Sequence, residues 1–211
     1  MREEIIKLLK KENKISDEAI SEIKNLDIND FSNVVKELGK GETEYIKSSE
    51  ISEGLNTKYI GKELYVFNEV SSTNTVAKFL SMHDVENGTV IISEKQTDAK
   101  GRSGKYWESP LGGVWLSIIL KPNVDHSKLP LITLATGVAV AKTLEKIGVE
   151  NPEIKWPNDI MIDGRKVCGI LTEAVAKLNT IENVIVGVGI EANLEINEFP
   201  EELQAGTTTL K

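Results

Sequence analysis

The dipeptide Asp163-Gly164 interrupts two apolar runs in "DIMIDGRKVCGILTEAV", and it constrains the fold more than any other local feature. An Asp-Gly pair readily adopts the two positive-φ positions of a two-residue turn, which joins neighbouring strands antiparallel. Around it, from Lys62 onward, short apolar runs alternate with helical ones. "ELYVFNEV", "GTVIISE", "VWLSIIL", "EIKW" and "NVIVGVGIEANL" read as strands. "SSTNTVAKFLSM" reads as a helix opened by a serine cap. "HSKLPLITLATGVAVAKTLEKIG" reads as a long helix with Leu131, Leu134, Val138 and Ala141 on one face and Gly148 past its end. Tight turns between several strands favour an α+β fold with a mixed, largely antiparallel sheet flanked by helices over a doubly wound parallel sheet.

Residues 1–45 differ in character. They are rich in Lys, Glu, Ile and Asn, and "EEIIKLLKK", "SDEAISEIKN" and "NDFSNVVKELGKG" carry helical periodicity. Ser16 and Asn29 are expected to cap the second and third of these helices, with Gly39 and Gly41 ending the third. This predicts a helical appendage over 1–45, a connector over 46–61 and the main domain over 62–211. The appendage has 8 Lys+Arg against 11 Asp+Glu and no basic second helix, so it is not expected to bind DNA.

Composition narrows the chemistry. A formal charge of -8 over 211 residues argues against general nucleic-acid affinity, which phosphate neutralisation by Lys and Arg supplies. No apolar run approaches the roughly 20 residues of a membrane span, and the start lacks a secretory signal, so a soluble, cytoplasmic protein is expected. One cysteine, Cys168, excludes an internal disulfide framework, and with only His83 and His126 beside it a His/Cys zinc site is disfavoured. Chemistry therefore rests on Lys, Arg, carboxylates, backbone amides or a borrowed cofactor.

Five stretches offer that chemistry, and each has a plainer alternative. In "KQTDAKGRSGKYWESPLGG", glycines and cations make either an anion-binding nest or a flexible surface loop with solvated charges. Trp107 is either a ring wall for a ligand or a core aromatic. "KWPNDI" places Asn158 and Asp159 at the mouth of a strand, where a carboxylate can hold Mg²⁺ or orient a hydroxyl, but these are also ordinary turn residues. Lys166 is an edge lysine in water or a cation turned into a cleft. Cys168 reads as a small core residue, because no neighbouring histidine activates it. Gly169 and the glycines of "VGVGIEANL" allow close approach of a ligand or of a packed helix. "SSTN" supplies helix caps or hydroxyls aimed at a polar ring.

In their order and spacing, "SSTN", "EKQTDAKGRSGKYWESPLGG", "KWPNDIMIDGRKVCGILTE", "VGVGI" and the closing "TTTL" resemble the biotin protein ligases over roughly residues 62–211. The resemblance implies the catalytic fold shared with class II aminoacyl-tRNA synthetases and lipoate ligases. It implies ATP-dependent, Mg²⁺-assisted activation of biotin to biotinyl-5′-AMP and transfer to a lysine of a biotin carboxyl carrier domain, and it leaves a homodimer open. A biotin- or adenylate-binding protein with weak catalysis, or a lipoate or octanoyl transferase, stands as the alternative. By match of motif, Ser72, Thr73 and Gln96 contact the biotin head group, with Gly169 and Gly189 lining its channel. Lys100 and Arg102 fold over biotin and adenylate, and Trp107 stacks near the ligand. Lys166 contacts both the biotin carboxylate and the phosphate, while Asn158 and Asp159 meet the nucleotide and metal.

Three departures stand out. Lys100 and Lys105 replace loop arginines, keeping charge but losing the bidentate fork; weaker adenylate retention is expected. Glu191 replaces an asparagine, and a carboxylate there is expected to repel phosphate. The sequence ends after "TTTLK", where the family continues through further helices into a small β-barrel, so a catalytic domain without that barrel is expected.

Overall fold

The computed structural model describes residues 13–16, 28–40, 42–177 and 180–211. Among the described residues eight strands form one sheet in the order β1-β2-β3-β4-β8-β7-β6-β5. They are β1 (Lys14–Ile15), β2 (Leu64–Val70), β3 (Thr89–Gln96), β4 (Val114–Leu120), β5 (Glu153–Lys155), β6 (Asp159–Ile162), β7 (Arg165–Lys177) and β8 (Thr180–Ile190). Only β1/β2 and β2/β3 run parallel; the other five neighbouring pairs are antiparallel. The α+β expectation holds. Asp163 (φ 50) and Gly164 (φ 73) take the two positive-φ positions that join β6 to β7.

Helices cover both faces. The helices α1 (Ile28–Gly39) and α3 (Thr73–Ser81) share a core with the sheet through Val35, Leu38, Val76, Ala77 and Leu80 packed among Tyr65, Phe67, Ile91, Ile119 and Ile185. On the opposite face lie α2 (Ser48–Gly54), within the expected connector, and α4 (Leu129–Lys146), whose Val140 and Leu144 pack on Ile160, Ile170, Val184 and Val186. A short α5 (Glu201–Gln204) precedes the last residues.

The described parts of residues 1–45 belong to this same body. Ile15 pairs with Val70 at the sheet edge and is 1% exposed, and α1 packs against β2. Gly39 ends α1 where a Cβ would come within 2.6 Å of Tyr65 Cβ. Asn29, expected as a cap, lies inside the described helix. The helices expected over residues 1–12 and 17–27, and the role of Gly41, fall outside the described residues.

The apolar seam of α4 differs from expectation. Gly137, Val140, Ala141 and Leu144 face the sheet, whereas Leu131, Leu134 and Val138 are exposed. Gly137 is the seam position over Ile154, Ile160 and Ile170, at a spacing that would also admit a Cβ.

Candidate functional site

Three central strands set the floor of the site by register. On one sheet face Ser117, Gly187 and Leu171 form a cross-strand row, and Trp115, Gly189 and Gly169 form the next. Glu191 follows β8 one step further along the same face. Three of these positions, Gly169, Gly187 and Gly189, carry no side chain beyond a hydrogen, beneath a trough of about 560 Å³. Every residue that the motifs singled out lines it: Ser72, Thr73, Gln96, Lys100, Arg102, Trp107, Asn158, Asp159, Lys166, Gly169 and Gly189. The sequence scatters these positions over more than half its length; the sheet gathers them.

One end is a neutral hydrogen-bond network at the start of α3. Thr73 donates its backbone N–H (2.8 Å) and its hydroxyl (3.1 Å) to Gln96 Oε1. Gln96 Nε2 donates to Ser109 Oγ at 2.9 Å. Ser117 Oγ lies 2.6 Å from Asn74 Oδ1 and 2.8 Å from Thr73 Oγ1. Asn74 Nδ2 donates to Glu173 Oε2 at 2.8 Å, and Lys78 Nζ holds the other oxygen of Glu173 at 2.6 Å. The carboxylate accepts only, so it fixes the amide of Asn74 with its oxygen toward Ser117. Gly187 makes room: a Cβ there would stand 2.3 Å from Asn74 Oδ1. Ser72 precedes α3 with no side-chain capping hydrogen bond, contrary to the cap expected of it, and lines the trough instead.

Motif reasoning gave no role to Asn74, Ser117 or Glu173, which hold this end together, whereas Gly187, flagged as a glycine of close approach, makes that approach to Asn74. Ser117 had a signal, a lone hydroxyl inside "VWLSIIL"; Glu173 ended a quoted motif without a role.

The middle and far end are aromatic and charged. The Trp107 ring lies over Gly169 and Gly189, where Cβ atoms would come within 3.0 and 2.7 Å of it. Thus both glycines serve the tryptophan as directly as any ligand. Its indole Nε1 is buried and has no hydrogen-bond partner, a donor awaiting an acceptor. Lys166 Nζ stands 4.6 Å from the ring centroid and 2.6 Å from Asp159 Oδ1, an oxygen with no other partner. Lys166 is therefore turned into the cleft.

The glycine-rich loop is folded. Gly101 N–H donates to Lys105 O at 2.7 Å and Trp107 N–H to Ala99 O at 3.0 Å. Ser103 (φ 59) and Gly104 (φ 72) take consecutive positive-φ positions at its tip. Arg102 donates to Asn158 Oδ1 at 3.0 Å, and Asn158 is itself clamped to Ile170 through both its side chain and its backbone. Lys100 leans on Asp98 and on the Tyr106 ring, so its ammonium faces the loop's own carboxylate.

Two titrating groups differ in environment. Burial pushes the Cys168 thiol up to about 12, which rules it out as a thiolate nucleophile near neutral pH. Glu191 is 2% exposed; burial raises its carboxyl to about 8, against the pull of Lys166 and with a push from Glu108. The repulsive carboxylate expected at this position is thus a neutral acid near pH 7. Among the described residues no group of three or more His, Cys, Asp or Glu is placed to hold a metal. Asp159 alone, already paired with Lys166, fits only a metal that arrives largely coordinated by substrate phosphates.

A mixed sheet carrying a trough with a hydrogen-bonding end and a cationic end defines a class of protein with a built small-molecule site. The chain belongs to the Biotin/lipoate A/B protein ligase family, whose pattern matches residues 66–191. It is 39% identical over 178 residues to the bifunctional ligase/repressor BirA of Bacillus subtilis, covering 84% of this chain and 53% of that one. It is 31% identical over 159 residues to the biotin–[acetyl-CoA-carboxylase] ligase of Mycobacterium tuberculosis, covering 71% and 55%. Among solved structures it resembles the biotin protein ligase of Aquifex aeolicus in complex with biotin and ATP, with TM-score 0.59 and 36% identity over 71% of this chain and 60% of that chain. The chain spans about half the length of these curated relatives.

Proposed function

We propose that this chain catalyses biotin–protein ligation. A carboxylate oxygen of biotin attacks the α-phosphorus of ATP, the bond to the bridging oxygen breaks, and pyrophosphate leaves, giving biotinyl-5′-AMP. The ε-amine of a lysine on a carboxylase carrier domain then attacks the acyl carbon; an amide forms, AMP leaves, and the amine loses a proton.

The division of the trough supports this reading more than any other observation. A ureido ring is uncharged and offers donors beside an acceptor, which suits the Ser72, Thr73, Gln96, Asn74 and Ser117 end. The biotin chain then runs along Trp107, whose ring covers Gly169 and Gly189, and presents its carboxylate to Lys166. Two anions must meet there against their repulsion, and the Lys166 ammonium with Arg102 lowers that barrier by placing charge where it develops. Asn158 anchors Arg102, and Lys100 swings from Asp98 to the ligand. Asp159 would be the carboxylate to meet a Mg²⁺ carried in by the nucleotide, which would offset phosphate charge. The protein works in the cytoplasm on this reading; among the described residues no helix is long and apolar enough to cross a membrane.

Biotin-dependent release of pyrophosphate from ATP tests the first step, and transfer of label to a carrier domain tests the second. Tight biotin binding without release would favour a binding protein, and lipoate outcompeting biotin would favour a lipoate transferase.

A further inference from the structure

Ser109 joins two parts of the trough from behind its wall. It is 2% exposed, while its partner Gln96 and its neighbours Trp107 and Glu108 line the ligand space. Its hydrogen bonds have one consistent direction. Gln96 Oε1 takes the N–H and the hydroxyl of Thr73, so the amide nitrogen of Gln96 is turned to Ser109 Oγ, 2.9 Å away. An amide nitrogen only donates. Ser109 therefore accepts there and gives its own proton to Trp107 O, at 3.2 Å.

The backbone around Ser109 is fixed as well. Its carbonyl accepts from Gln96 N–H at 3.0 Å, and the carbonyl of Pro110 accepts from the indole N–H of Trp115 at 2.8 Å. Trp115 is fully buried in the floor row with Gly189 and Gly169. Ser109 is thus seated on the sheet. Trp107, by contrast, belongs to the glycine-rich loop, whose own closure runs through Trp107 N–H and Ala99 O. The Ser109 hydroxyl ties that loop-borne carbonyl to the seated frame.

The link matters because the ligand has two ends. On the ligase reading its head group is held at Gln96, and its carboxylate is delivered where Lys166 stands 4.6 Å from the centroid of the Trp107 ring. The acid chain between them is flexible and runs along that ring. A wall able to slide relative to Gln96 would accept chains of several lengths, whereas a wall fixed to Gln96 accepts one. Small errors count here, because misplacing a reacting atom by about 1 Å costs about 100-fold in rate.

We propose that Ser109 is a positioning residue that sets the acid-chain length this enzyme activates, by fixing the Trp107 wall to the Gln96 head-group contact. The inference rests on the ligase reading and deepens it, since it gives the selection of chain length to a residue behind the ligand-lining wall. A serine present only to satisfy the buried amide of Gln96 would affect acids of every length alike.

The test is acid-dependent pyrophosphate release from ATP by the wild type and Ser109→Ala. The acids are biotin, norbiotin, with an acid chain one methylene shorter, and homobiotin, with one methylene more. The wild type is expected to favour biotin over either homologue by about 100-fold in kcat/KM. Ser109→Ala is expected to lower kcat for biotin by about 10- to 100-fold, with KM changed by less than about threefold, and to narrow the length preference to about tenfold or less. If Ser109→Ala melts far below the wild type, Ser109→Cys, which keeps the size and weakens both bonds, reads the same ratio and is expected to narrow it in part. A wild type indifferent to chain length, or a folded variant that keeps the wild-type preference, overturns the proposal and leaves the ligase reading intact. Absence of acid-dependent release from the wild type with all the acids removes the ligase reading and this inference together.

Discussion

The two ends of the trough are held in different ways. At the neutral end Thr73, Asn74, Gln96 and Ser117 are all buried, and each is tied to a neighbour by hydrogen bonds of 3.1 Å or less. At the cationic end Lys166 and Lys100 keep 28% and 47% of their side chains exposed. They rest on Asp159 and Asp98 and on the rings of Trp107 and Tyr106, and a phosphate can replace the carboxylates. A rigid neutral end suits recognition of one head group; an exchangeable cationic end suits anions that come and go within a catalytic cycle. The Lys100–Asp98 pair is exposed and holds little energy, so exchanging it costs little.

Removing Lys166 breaks this contrast most severely. Lys166→Ala is expected to lower the rate of adenylate formation by about 100- to 1,000-fold, read as single-turnover pyrophosphate release, with circular dichroism and melting unchanged in kind. Next in size is Gly187→Ala, whose new methyl would press on Asn74 Oδ1. Biotin affinity is expected to drop by about 10- to 100-fold, each tenfold being about 1.4 kcal/mol, while ATP affinity in calorimetry holds.

Glu173→Ala sharpens the same end without touching the ligand. It frees the Asn74 amide to turn, and the KM for biotin is expected to rise about tenfold with the KM for ATP little changed; Glu173→Gln, which keeps an acceptor, should recover part of the loss. A smaller effect is expected from Arg102→Ala. It removes the bond to Asn158, so amide exchange over residues 97–106 should speed up and biotin plus ATP should protect the loop less than in the wild type.

The smallest expected effect is on stability. Because the folded Glu191 carboxyl sits above its ordinary value, its contribution is fully present below about pH 4.5 and is lost as pH rises toward about 8. Glu191→Gln should therefore melt higher than the wild type near pH 9, and the gap should close in acid. A constant gap across pH would contradict the buried neutral acid.

How far the sequence could be read follows from what each feature depends on. Asp163-Gly164 announced its hairpin because the turn is a local requirement, and "VWLSIIL" spans β4 from end to end because a buried strand is a continuous apolar run. The long helix was legible as a helix, but its buried seam was not. Leu131, Leu134 and Val138 are exposed, and the seam that meets the sheet runs through Gly137, Val140, Ala141 and Leu144. The motif residues were found as a set, yet their division of labour depends on register between strands far apart in sequence. Nothing local says that Glu173 reaches Asn74, or that Gly169 and Gly189 stand opposite each other beneath Trp107. Glu191 was visible as a departure from its relatives; only its burial reverses the charge expected of it.

The contrast between the two ends is tested most directly by pyrophosphate release from ATP with and without biotin, in the wild type and in Lys166→Ala at saturating biotin. The account predicts release by the wild type only when biotin is present, and a loss of about 100-fold or more in Lys166→Ala with biotin still bound. Wild-type turnover in a folded Lys166→Ala protein, or release that ignores biotin, would contradict it.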